Sequence, residues 1–154
     1  MIGNQAREAG WTDREFAEAV DGIGHAALSA VVTLGVVDHL RAHPSTSEEI
    51  AGAVGCSESA LRRLLAFLSC RGMFDLGSDG RYHLTERSRL LARTHESGLF
   101  ALLDGHGLAS RVDRALVDLP EVVQSGRAAY PAVFGASFYD DESTELRETD
   151  RKSV

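Results

Sequence analysis

A mainly α-helical fold with one small β-hairpin is predicted by three features of residues 46–84. A capping box opens a short helix at Thr46, and an apolar stripe at helical spacing runs from Leu61 to Leu68. Two strand-like runs then flank the glycine-bounded loop Gly77-Ser78-Asp79-Gly80. In chain order these read helix, turn, helix, hairpin, the order of a winged helix.

Each element has a local cause. The Thr46 hydroxyl can accept from the Glu49 amide while the Glu49 carboxylate reaches back to the Thr46 amide, so two orphan donors are satisfied at once. Gly55 follows the last apolar residue of that helix, Val54, where a left-handed residue closes a helix. Ser57 is placed to cap the next helix, in which Leu61, Leu64, Leu65 and Leu68 recur at i, i+3, i+4, i+7. Gly72 closes it. Met73–Leu76 and Arg81–Leu84 are short apolar-rich runs, and the loop between them has hairpin composition.

Upstream, residues 1–11 are polar and punctuated by glycine, and read as a loose arm. Thr12 with Glu15 makes a second capping box, followed by Phe16, Ala19, Val20 and Ile23 at helical spacing. Gly22 and Gly24 interrupt. Residues 26–40 then read as one helix that is almost entirely small or apolar, ended by Pro44. A helix apolar around most of its circumference must be buried around most of it. A chain of 154 residues scarcely supplies that cover, so a subunit partner is expected.

Downstream, Thr85 caps a short helix with Leu90 and Leu91 on one side. A further helical tract starts near Ser97 and runs to Leu116, with a break expected at Gly105 or Gly107. Pro120 and Gly126 punctuate the next stretch. Four aromatic residues, Tyr130, Phe134, Phe138 and Tyr139, fall within ten positions, and residues 143–154 are polar and read as a frayed tail. The domain therefore spans 12–142, with its winged-helix core at 46–93.

Composition bounds the function. An apolar content of 44% with 25% charged residues is that of an ordinary globular domain. A net charge of -7 argues against general binding to nucleic acid or to an anionic membrane. The two cysteines, Cys56 and Cys70, suggest no disulfide framework and point to a reducing compartment. The N-terminus lacks a basic-then-apolar leader, and no apolar run approaches the roughly 20 residues that span a bilayer. A cytoplasmic protein is expected.

Candidate chemistry is thin. Gly22-Ile23-Gly24 and Gly105-His106-Gly107 lack both the preceding strand and the third glycine of a dinucleotide loop, so helix breaks or close packing explain them better. His39 and His43 lie four apart on a helix, but no third ligand is signalled, and no metal site is assigned. Gly135-Ala136-Ser137-Phe138-Tyr139 lacks the closing glycine of a nucleophile elbow. Arg62 and Arg63 lie on the helix that would read DNA. Residues 57–93 carry seven arginines against four acids, a local +3, so a regulator remains an alternative.

Ala60-Leu61-Arg62-Arg63-Leu64-Leu65-Ala66-Phe67-Leu68, Arg71-Gly72-Met73-Phe74 and Tyr82-His83-Leu84-Thr85 resemble the N-terminal domain of small-molecule O-methyltransferases. That group includes bacterial natural-product enzymes and the plant caffeate and acetylserotonin types. Residues 46–54 are similar to the family's short helix before the turn, and residues 125–135 resemble the segment leading out of the domain. The likeness runs from about residue 12 to about residue 142. It implies a winged helix flanked by long helices and used for intertwined homodimerisation, with helices that help to cover a substrate pocket above a separate catalytic domain. The family's S-adenosylmethionine loop and catalytic histidine would come after this stretch, and no residue from Ser143 onward supplies either. The expectation is thus a dimerisation and substrate-lid domain without the cofactor-binding half, with no catalytic residue, cofactor or metal of its own. Alternatives are a winged-helix regulator that binds DNA through Arg62 and Arg63 or a small aromatic ligand, and a subunit that modulates a full-length relative. Tyr130, Phe134, Phe138 and Tyr139 are either core or the lining of a pocket for a weakly held aromatic ligand.

Overall fold

The computed structural model describes residues 20–144, together with Thr12, Glu15, Ala17 and Glu18. Phe16, Ala19, the arm 1–11 and residues 145–154 lie outside the described residues. The elements are α1 (Gly22–Thr33), α2 (Val36–Ala42), α3 (Ser47–Val54), α4 (Glu58–Ser69), β1 (Phe74–Leu76), β2 (Tyr82–Leu84), α5 (Glu86–Arg89), α6 (Leu99–Leu103), α7 (Leu108–Leu116), α8 (Leu119–Ser125) and α9 (Ala129–Phe134). A last helix, α10, covers 138–144, so Ser143 and Thr144, assigned to the tail from sequence, are helical.

The winged helix forms where the sequence places it. Both bonds of the Thr46–Glu49 capping box are present, at 2.9 and 3.2 Å, and Gly55 closes α3 at φ 72°, a backbone state that favours glycine. Leu61, Leu65 and Leu68 are buried and Leu64 is partly so. The strands pair antiparallel with Phe74 opposite Leu84 and Leu76 opposite Tyr82. Ser57 occupies the start of α4, yet its hydroxyl makes no capping bond and meets Ser59 Oγ at 3.2 Å instead. The Ser47 hydroxyl donates to Glu58 at 2.8 Å, joining the starts of α3 and α4. Arg81 bridges the wing to α3 through Glu49 at 2.7 Å. Ser45, not recognised as strand, bridges antiparallel to Tyr82 and gives the hairpin a third backbone partner.

The long apolar helix is corrected in two ways. Gly22 and Gly24 begin α1 instead of interrupting it, because Asp21 accepts from the Gly24 amide at 2.9 Å and caps the helix. Residues 26–40 are not one helix: Gly35, at φ 77°, splits them into α1 and α2, whose axes differ by 58°. The bend lets one chain wrap its own core. Ala27, Val31, Val32, Val36, Val37 and Leu40 are all buried against Ile50, Leu65, Phe74 and Leu91. The apolar circumference of this segment is therefore covered largely from within the chain, and the argument for a partner must rest on other residues.

Asp21 also pairs with Arg71, which links the start of α1 to the end of α4. The Gly24 amide, first, and Arg71 hold the Asp21 carboxyl below the usual carboxylate range. Among the described residues no single helix is long and apolar enough to cross a membrane.

Candidate functional site

The four aromatic residues do not share one helical face. Gly135, at φ 72°, ends α9 after Phe134, and Phe138 and Tyr139 fall on α10. Tyr130 and Phe134, one turn apart on α9, pack with centroids 4.8 Å apart, and beyond the turn at Gly135 Phe138 of α10 meets Tyr130 edge-on at 5.7 Å. Edge-on and tilted contacts of this kind suit the ring quadrupoles. Tyr130 is buried, Phe134 and Phe138 are half-buried, and Tyr139 is 77% exposed.

Two residues that sequence reasoning did not single out complete the cluster. The Tyr130 hydroxyl donates to Asp141 Oδ2 at 2.7 Å, and Arg111 on α7 donates to the same oxygen at 2.6 Å. The Arg111 guanidinium also lies 4.8 Å from the centre of the Phe134 ring. Burial, then the Asp141 carboxylate, pushes the Tyr130 hydroxyl above its ordinary value of 10.0, so it stays a neutral donor. Asp141 lies 11 positions from Tyr130 and 30 from Arg111, and no short-range pattern marks such a pairing. The arrangement can stack a flat ligand on the half-buried rings and orient a polar substituent.

Elsewhere the candidate residues are dispersed. Arg62 and Arg63 project from the exposed side of α4. Arg62 approaches Glu58 at 3.5 Å, one turn earlier, and Arg63 makes no ion pair among the described residues. His39 Nε2 meets Ser45 Oγ at 3.0 Å, and the His39 and His43 rings pack at 4.9 Å. The Gly105 amide donates to Thr33 Oγ1 at 2.6 Å, which makes the second glycine pair a site of close packing against α1. A strand-to-helix glycine turn of the kind that holds S-adenosylmethionine is absent among the described residues, where the sheet is an antiparallel hairpin. These residues do not fit that cofactor.

A family model described as an O-methyltransferase dimerisation domain matches residues 21–94. The 2,7-dihydroxy-5-methyl-1-naphthoate 7-O-methyltransferase of Streptomyces carzinostaticus is 36% identical over 115 residues, covering 75% of this chain and 35% of that protein. Aclacinomycin 10-hydroxylase RdmB of Streptomyces purpurascens is 35% identical over 122 residues, covering 78% of this chain and 33% of the relative. Among solved structures, an O-methyltransferase from neocarzinostatin biosynthesis (NcsB1), in complex with S-adenosyl-L-homocysteine and 1,4-dihydroxy-2-naphthoic acid, superposes with a TM-score of 0.76 at 32% identity. That match covers 87% of this chain and 41% of the NcsB1 chain. The chain thus spans about a third of the length of the curated relatives it matches.

Proposed function

Residues 21–94 are an O-methyltransferase dimerisation domain, and from that premise we propose that the chain pairs with a second copy of itself and covers the substrate pocket of a natural-product O-methyltransferase. A dimerisation domain associates with itself. The two-copy stoichiometry, the lid role and the small aromatic substrate class are our reading.

One observation carries it. Among the described residues, only Ala115 and Tyr130 of the 17 buried hydrophobics lie beyond Ala92, whereas seven of the 12 exposed large hydrophobics do. The stretch from α7 to α9 exposes Leu116, Val117, Leu119, Val123 and Val133, and exposed apolar residues in this number support a covering partner. The aromatic cluster sits on the same stretch, which supports placing the lid there. The relatives' names support an aromatic substrate, and their being biosynthetic enzymes supports a cytoplasmic setting. One relative of nearly equal identity is named a hydroxylase, so this segment does not by itself select the reaction. A regulator reading gains little from α4, where Arg62 leans on Glu58 and the chain carries -7 overall.

Sedimentation velocity at micromolar concentration tests the pairing. A dimer burying more than about 2,000 Å², the scale of obligate interfaces, is expected, and a stable monomer would overturn the proposal. Calorimetry with S-adenosylmethionine tests the division of labour. No saturable heat is expected below millimolar cofactor, and a sub-millimolar isotherm would contradict the reading of this chain as the non-catalytic part.

A further inference from the structure

Away from the aromatic cluster, a cleft of about 460 Å³ opens between the end of α2, strand β2 and the segment after α5. Its volume falls within the range of small-ligand sites. Arg41, His43, His83, Arg89, Thr94 and His95 contribute its polar lining, over an apolar floor that includes Leu40 and Leu84. No carboxylate lines it, although acidic residues outnumber basic ones in the chain by 23 to 16.

Asp75 and Glu86 share a second, separate cleft with Arg89 and form no ion pair with it among the described residues, whereas the acids nearer the first cleft are engaged. Arg81 holds Glu49 at 2.7 Å and stands 4.0 Å from Asp79, and Asp38 pairs with Arg93 at 3.9 Å. The side chains of Arg41 and Arg89, by contrast, make no hydrogen bond or ion pair among the described residues. His95 Nδ1 accepts from the Ser97 amide at 3.1 Å, which places the proton of the neutral ring on Nε2 and makes that nitrogen a donor. Two guanidinium groups with no partner among the described residues, an imidazole N–H and a hydroxyl therefore line one cleft that holds no carboxylate.

We propose that this cleft binds the phosphate group of a small phosphomonoester. Phosphate carries roughly -1.5 to -2 charges at neutral pH and three acceptor oxygens. It can satisfy two planar arginine forks together with further donors, whereas a carboxylate offers only two oxygens. The apolar floor accommodates the organic part of the ester.

Phenyl phosphate, with benzoate as the carboxylate counterpart, distinguishes the two chemistries by calorimetry on the full chain at constant ionic strength. The expected result is a saturable phenyl phosphate isotherm and benzoate binding weaker by about tenfold or more. Replacing both free arginines (Arg41→Gln, Arg89→Gln) weakens phenyl phosphate by at least about a hundredfold, since each charge-assisted bond is worth about tenfold or more. Both side chains are exposed, so the thermal midpoint of that variant should stay unchanged. The Arg62→Gln, Arg63→Gln variant, altered outside the cleft, should bind as the original does. Absent heat with the unaltered chain, equal binding of benzoate, full binding by the Arg41/Arg89 variant, or equal loss in the Arg62/Arg63 variant would each overturn the proposal.

Discussion

Replacing Val117 and Val123 by aspartate should separate self-association from folding. Both side chains are 77% exposed in the single chain, so neither contributes appreciably to its core, and exposed substitutions of this kind shift stability by only about 0.5 kcal/mol. Fully burying a valine is worth about 1.5–3 kcal/mol. With roughly three-quarters of each side chain still to be covered, each position offers about 1–2 kcal/mol on pairing. In a twofold dimer every substitution is present twice, so two positions remove about 4–8 kcal/mol before any cost of burying carboxylates. At about 1.4 kcal/mol per tenfold, the dissociation constant should rise by about a thousandfold or more. Sedimentation velocity from nanomolar to tens of micromolar chain measures it, with circular dichroism confirming that the helices persist. Ser78→Asp, at the exposed tip of the wing, adds the same charge elsewhere and should leave association unchanged. An aspartate double variant that associates as tightly as the original would refute the assignment of this surface to pairing.

Three further outcomes are expected. Gly105→Ala should destabilise the fold by about 1–3 kcal/mol through overpacking, because a Cβ there would stand 2.8 Å from Thr33 Oγ1; Thr33→Ala in the same chain should recover part of the loss in a thermal melt. Phe134→Ala should cost about 2 kcal/mol, short of the roughly 3–5 of a fully buried ring, and abolish fluorescence enhancement of a polycyclic aromatic probe; a full core penalty with probe binding intact would remove the pocket reading. Stability should also fall in acid. The Glu49 carboxyl is held below its usual 4.5, first by the Thr46 amide and then by Arg81, so its contribution is complete above about that pH and is lost as the pH drops through the lower folded value. Glu49→Gln should flatten the acid limb of a melting series, and an unchanged limb would contradict the assignment.

The parts of the fold that were legible in the sequence are those whose cause is local. Thr46 and Glu49 are three residues apart, Val54 and Gly55 are adjacent, and the leucine stripe of α4 spans eight positions; each carries its own instruction. Thr85 was legible as a cap, although its partner is Ser88 and not the glutamate of the usual template. The break at Gly35 was hidden because a lone glycine in an apolar run is as compatible with close helix packing as with a bend. What decides it is the core formed by Ile50, Leu65 and Phe74, which both arms of the bend must reach. Ser45 was hidden for a similar reason, since one residue pairing with Tyr82 leaves no strand pattern.

The candidate site was half legible, and the missing half is polar. The four aromatic residues stood out by density, but their geometry depends on the turn at Gly135 and on Asp141, which accepts from both Tyr130 and Arg111. Beyond residue 94, Leu99, Phe100 and Leu103 of α6 pack partly buried against the core, but from α7 on the described residues bury only Ala115 and Tyr130 among their hydrophobics. The segment's described attachments include specific bonds to distant residues: the Gly105 amide to Thr33 and Asp113 to His25 at 2.9 Å. Such bonds fix orientation while contributing only about 0.5–1.5 kcal/mol each, and they leave Leu116, Leu119 and Val123 of α7 and α8 exposed. A segment oriented by polar ties but not buried by its own chain is prepared to be completed by another surface. That is the physical ground for the proposal that the helices beyond the winged helix take part in pairing.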